Sequence, residues 1–143
     1  LEGEREGVRV SIHAEAQQSG KNSTTYTVVR AYAEDDAGFA LSVTREGAFF
    51  KLGKALFGLE EVQLDDPELD PKVKIKAQDA SSARALLCRD EVRRSLLDLC
   101  AIKGDFRLSR DRIQWERQGV LTDAAELGAV LDLLLPIARA FGK

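Results

Sequence analysis

The side chains in this sequence that could bind a metal, a phosphate or a proton in transit are few. Histidine occurs once, at His13, with Ser11 and Glu15 at alternate positions beside it. Acid–base catalysis and metal binding both need imidazole with positioned partners. The alternation instead places His13 on the polar side of a strand, where an exposed histidine is expected. Cys88 and Cys100 lack Cys-x-x-Cys spacing. On one continuous helix they would stand about 18 Å apart, well beyond the roughly 7 Å between Cα atoms that a disulfide tolerates. They read as small buried hydrophobes in a reducing compartment.

Three further motifs fail for stated reasons. The stretch from Gly47 to Ala55 ends in Gly53-Lys54 like a phosphate loop, but five residues separate Gly47 from Gly53 where such a loop has four. Ala55 also stands where a hydroxyl would meet magnesium, and Phe49 and Phe50 would crowd the phosphate. Asp66, Glu68 and Asp70 alternate and offer oxygen ligands to a hard cation. Counted from Asp66 as an EF-hand, however, the glycine position holds Pro71 and the final glutamate position holds Ala77. A solvated acidic loop is expected. Asn22-Ser23-Thr24 matches a glycosylation tripeptide, in a segment that otherwise reads as a polar turn. No catalytic residue, metal or cofactor is therefore assigned.

Two features remain as surface candidates. Lys72, Lys74 and Lys76 share one face of a strand, either for anionic groups or as a defence against edge-to-edge strand pairing. The connection from Phe49 to Asp70 joins an apolar, glycine-punctuated stretch to an acidic, proline-bounded one. Long connections of this kind often carry function. If Phe49, Phe50, Leu56 and Phe57 turn inward they cap the core, and if they stay exposed they mark a partner surface. Those four residues with Asp66, Glu68 and Asp70 form the candidate interaction surface.

The elements that position these residues follow from periodicity. Val8, Val10, Ile12, Ala14 and Ala16 alternate with polar residues as a half-buried strand does. A β-rich run from Thr24 to Ala33 and a third strand through Phe39, Leu41 and Val43 complete an expected antiparallel meander, with a short strand near Val62 to Leu64. Lys72 to Gln78 alternates again. Asp79 or Ser81 caps a helix carrying Ala83, Leu86, Leu87, Val92, Leu96, Leu97 and Cys100, and its phase slips at Arg89-Asp90, where a bend or second helix is expected. A turn at Arg110-Asp111 would set Leu108 opposite Ile113 and Phe106 opposite Trp115, leaving Arg107 and Gln114 on the other face. Asp123 and Glu126 resemble a capping box before a Leu-rich helix whose Pro136 should kink it. The expected fold is α+β: an antiparallel sheet of about five to six strands with two main helices packed on one face.

Composition agrees with one folded domain over residues 1–143. The chain is 44% hydrophobic and 31% charged, too apolar for wholesale disorder. A net charge of −3 argues against a dedicated nucleic-acid binder. The longest apolar stretch, Leu127 to Phe141, is broken by Asp132 and Arg139 and would cover only about 22 Å, short of a roughly 30 Å bilayer core. The chain begins Leu1-Glu2-Gly3, which suggests a domain cut from a longer protein.

The residues Asp66-Pro67-Glu68-Leu69-Asp70, the strand through Val73 and Ile75, and Ala85-Leu86-Leu87 followed by Glu91-Val92-Arg93 resemble an uncharacterised bacterial family of soluble α+β domains. Members of that family often follow N-terminal membrane spans. The family pattern has an aromatic where this chain has Leu69 and a glycine where it has Asp65. The resemblance implies no activity and no transferable site residues.

The expected function is a non-enzymatic protein-interaction or sensory module. It would be cytoplasmic, at the cytoplasmic membrane face in a membrane-linked parent chain, with a protein partner or a homodimer formed through an exposed strand edge. A domain binding a small apolar ligand comes second. A hydrolase or transferase using the acidic loop comes last.

Overall fold

The computed structural model describes residues 1–35, 37–47 and 59–141. In chain order the elements are β1 (Glu2–Arg5), β2 (Val8–Ser19), β3 (Asn22–Tyr32), β4 (Leu41–Arg45), β5 (Glu60–Glu61), β6 (Val73–Ala77), α1 (Ala80–Leu87), α2 (Asp90–Ala101), β7 (Asp105–Leu108), β8 (Arg112–Gln118) and α3 (Ala124–Ala140). The fold is α+β with an antiparallel sheet, as the alternation implied.

The described sheet has eight strands, in the order β1-β2-β3-β8-β7-β4-β6-β5, and three helices accompany it. The expected five to six strands and two helices are corrected by elements that hydrophobic periodicity does not register. β1 is exposed at all four positions and exists through its pairing with β2. β5 is two glutamates paired to Ala77 and Lys76, displaced from the strand expected near Val62. The phase slip at Arg89-Asp90 is a break between α1 and α2, with Asp90 as the first residue of α2.

The expected three-strand meander is also corrected. β3 pairs with β8, not with β4, and β4 lies between β7 and β6. Burial explains the exchange. The β7–β8 hairpin has the register set by its turn, Phe106 opposite Trp115 and Leu108 opposite Ile113. Inserted between β3 and β4, it sets Trp115 beside Val29 and Leu108 beside Val43. All of these side chains are at most 1% exposed.

Successive strands thus present Val10, Ala31, Ile113, Leu108, Val43 and Ile75 side by side on one face. This face joins the buried side chains of the helices in one core, including Leu86, Leu87, Leu96, Leu99, Leu134 and Ile137. α3 packs on β2, β3 and β8, and α2 packs on α3. Asp79 caps α1 by accepting from Ser82 N, and Asp123 caps α3 by accepting from Ala125 N and Glu126 N. Glu126 does not return the bond of a capping box; its carboxylate accepts from Arg117 at 2.7 Å instead. α3 continues through Pro136.

Gly104 meets a close approach that only glycine permits. Its φ is +114°, and a Cβ there would lie 2.6 Å from Trp115 Nε1. That indole nitrogen donates to the Lys103 carbonyl at 3.2 Å, which fixes the ring beneath the chain entering β7.

Candidate functional site

Of the seven candidate surface residues, Phe49, Phe50, Leu56 and Phe57 lie outside the described residues. Asp66, Glu68 and Asp70 are described, and their oxygens are engaged within the protein. Asp66 Oδ2 accepts from Arg93 Nε at 2.6 Å, while Oδ1 accepts from the amides of Glu68 and Leu69. Asp70 accepts from the amides of Leu64 and Asp66. Arg93 also lies 3.4 Å from Glu68. The turn folds because its aspartates supply acceptors to amides that lack a ladder partner, and Arg93 ties it to α2. The Arg93 hydrogen bond, with the two amides, holds the Asp66 carboxyl down at about 2 despite its partial burial. Asp66 fastens the turn to α2 through Arg93 and Asp70 closes the turn on its own amides, while of the three Glu68 alone stays exposed as a solvated acidic loop would have it.

The thiols separate. Cys88 is exposed at the end of α1, which corrects the buried reading for that residue, and Cys100 is half-buried in α2. Burial pushes the Cys100 thiol pKa up, away from the reactive thiolate. Among the described residues, no three His, Cys, Asp or Glu side chains gather to hold a metal ion.

His13 has neighbours that lie far from it in sequence. It stands on the face of the sheet opposite the helices, with Nε2 at 3.1 Å from Glu15 Oε2 and 3.3 Å from Arg30 Nη1. One ring nitrogen cannot both donate to the carboxylate and accept from the guanidinium. The Nε2–H tautomer therefore bonds Glu15, and the Nδ1–H tautomer accepts from Arg30. Arg30 Nε donates to Gln114 Oε1 at 2.7 Å, and Gln17 donates to Glu116 at 3.0 Å. Burial raises the Glu116 pKa, with nearby Asp105 and Glu15 adding to the effect.

These contacts belong to a larger pattern set by strand register. Ser11, Arg30, Gln114, Arg107, Thr44 and Lys74 are consecutive cross-strand neighbours from β2 to β6 on the helix-free face. One row over stand Tyr32 opposite Arg112, with the Arg9 guanidinium 4.2 Å from the Tyr32 ring centre, and Ser42 opposite Lys76. On the other side, His13, Val28, Glu116 and Asp105 form a row with two carboxylates. A cationic band thus borders an acidic one on the same face of a chain whose net charge is −3. The sequence held part of this signal, since the hairpin register already put Arg107 and Gln114 together. The alignment with Arg30 and with Thr44 and Lys74 depends on β3–β8 and β4–β7 pairings that no local pattern announces.

A small cleft lies on the helix side. It is about 110 Å³, lined by Ile102, Trp115, Ala129, Val130 and Leu133, with Lys103 and the Arg117–Glu126 ion pair at its rim.

No family model and no curated protein matches this chain. Among solved structures it is similar to the crystal structure of the mycobacterial trehalose monomycolate transport factor A, TtfA. The two are 10% identical with a TM-score of 0.54, over 94% of this chain and 75% of that one. At that identity, the likeness is one of fold.

Proposed function

We propose that this chain is a non-enzymatic protein-interaction module whose working surface is the helix-free face of its sheet. The row from Arg30 to Lys74 carries the proposal: five adjacent polar side chains on five strands, on a face where no described helix packs. Arg30, bonded to Gln114 and close to His13 and Glu15, gives this face preset side-chain positions, which lowers the ordering cost of binding. The similar fold in TtfA belongs to a protein named as a transport factor. In line with the resemblance to domains that follow membrane spans, the module acts at the cytoplasmic face of a membrane as part of a longer chain. No described helix is itself long and apolar enough to cross a membrane.

The test is photo-crosslinking in the native cell. A benzophenone side chain at Thr44, in the centre of the face, should give one recurrent protein adduct that Arg107→Glu removes. The same group at Asp98, exposed on α2, should not. Equal adducts from both positions, or none from Thr44, would contradict the proposal.

Two lesser readings have their own supports. The outer edge of β2 beyond Ile12 has no partner strand among the described residues, and Ala14, Ala16 and Gln18 are exposed there, which favours pairing with a second copy. The apolar lining of the cleft beside Trp115, with Ile102, Val130 and Leu133, favours a small apolar ligand.

A further inference from the structure

The spacing of the cations on the helix-free face adds information about the partner. Arg30, Arg107 and Lys74 stand on β3, β7 and β6, and each is separated from the next by one intervening strand carrying Gln114 or Thr44. Neighbouring strands lie about 4.8 Å apart, so the cations recur about every 9.6 Å across the sheet. Arg9, Arg112 and Lys76 widen the band in the next row, where Tyr32 and Ser42 stand between them. Within these two rows the strands from β2 to β6 contribute no carboxylate. At the edge strands the rows end on carboxylates, Glu2 and Glu4 on β1 and Glu61 on β5, and acids reach several of the cations: Glu15 at 3.5 Å from Arg30, Asp111 at 3.1 Å from Arg112 and Glu61 at 3.9 Å from Lys74.

The residues between the cations are hydroxyls, an amide and a phenol, and Val28 in the next row is fully buried. A surface built to sink into lipid would present apolar side chains at this level, and among the described residues the exposed large hydrophobics are Leu1 and Val120. The complement is a polar, acidic chain that crosses the strands with carboxylates on one side. A polyproline II segment has this geometry: three residues per turn at about 3.1 Å each place every third side chain on one face about 9.3 Å apart.

Building on the interaction-module reading, we infer that the helix-free face binds an extended acidic protein segment whose carboxylates recur at every third residue, aligned on Arg30, Arg107 and Lys74. The acidic row at Glu116 and Asp105 repels such a segment and confines it to the cationic rows.

The probe is a peptide of Glu-Pro-Pro repeats, compared with an isomer of identical composition in which the glutamates are clustered. Binding to the full chain is followed by fluorescence anisotropy at low and at physiological salt. The repeat peptide should bind about tenfold more tightly than the isomer, and added salt should weaken it. Lys74→Glu and Arg107→Glu should each weaken it by a similar factor in variants that remain folded, while Arg94→Glu on α2 should leave it intact. The milder Arg107→Gln serves if Arg107→Glu perturbs folding. Equal binding of the two peptides would overturn the inference, as would no binding, or preferential binding to phosphatidylserine vesicles that Lys74→Glu abolishes. If the peptide fails while the Thr44 crosslink succeeds, the spacing is refuted and the interaction module stands; if both fail, both are refuted.

Discussion

Arg45 Nη1 donates to the carbonyl oxygen of Cys100 at 2.8 Å, so the last residue of β4 closes the last turn of α2. Nη2 of the same guanidinium reaches the carbonyls of Leu99, Ile102 and Gly104 at 2.8–2.9 Å. The carbonyls at a helix C-terminus lack helical partners and carry the negative end of its dipole. A cation delivered from the core face of the sheet satisfies both, and it locks α2 to the strand that bears Thr44 on its other side.

Replacing this cation should be costly. Arg45→Met leaves several part-buried carbonyls unpaired and should destabilise the fold by about 3 kcal/mol. Arg45→Lys should recover only part of that, because an ammonium lacks the planar fork. Urea unfolding of the three proteins would measure the difference, and an Arg45→Met loss within error of zero would remove the capping role.

Gly104→Ala tests the packing around Trp115. The new methyl would meet the indole nitrogen, and the carbonyl oxygen of Glu116 at 2.8 Å, at a φ that disfavours any side chain. Backbone and ring must both shift, for a loss of about 3 kcal/mol or more. Thermal unfolding together with the emission maximum of Trp115, the sole tryptophan, would register the change.

The acidic turn should give a pH signature. Asp66 has its pKa lowered from 3.8 to about 2, so its stabilisation is fully present above about pH 4 and is lost as pH falls through 2. Asp66→Asn should lower Tm by a few degrees at pH 7 and should flatten the fall in stability between those limits. Parallel pH profiles for the two proteins would contradict the Arg93 pairing.

Glu116 should behave in the opposite sense. Its pKa is raised from 4.5 by burial, so the ionised form disfavours the folded state. Its penalty is absent below the ordinary carboxylate range and appears as pH rises through the raised value. Glu116→Gln retains an acceptor for Gln17 and should raise Tm modestly at pH 7 but not at pH 4. A variant less stable than the parent at pH 7 would show that the charge is wanted there.

What the sequence disclosed was local. Val8 to Ile12, Lys72 to Gln78 and the Phe106–Trp115 hairpin alternate strictly and turn their apolar side to the core, whereas Ala14 and Ala16 continue the alternation of β2 but are exposed, beyond the point where the core covers it. Asp79 and Asp123 announce helices through their side-chain acceptors. The non-local relations were hidden. Nothing near Glu2 or Glu60 marks a strand, because edge strands with polar residues have no periodicity to display. The insertion of β7 and β8 between β3 and β4 depends on which pairing best buries Trp115 and Leu108, a property of the assembled core. The cationic row was hidden for the same reason, since its members come from five segments between Arg30 and Gln114. Asp66 was visible as an acid, but its role depends on Arg93, which lies on a helix that follows later in the chain.

The proposal that the helix-free face works while the helix-covered face stabilises is tested most directly by one paired measurement. The Thr44 crosslinking yield and Tm should be recorded side by side for the parent chain and for the Lys74→Glu, Arg107→Glu double variant. The expected result is a lost crosslink in a variant that still unfolds cooperatively well above the crosslinking temperature. A crosslink that persists at full yield in a folded double variant would contradict it.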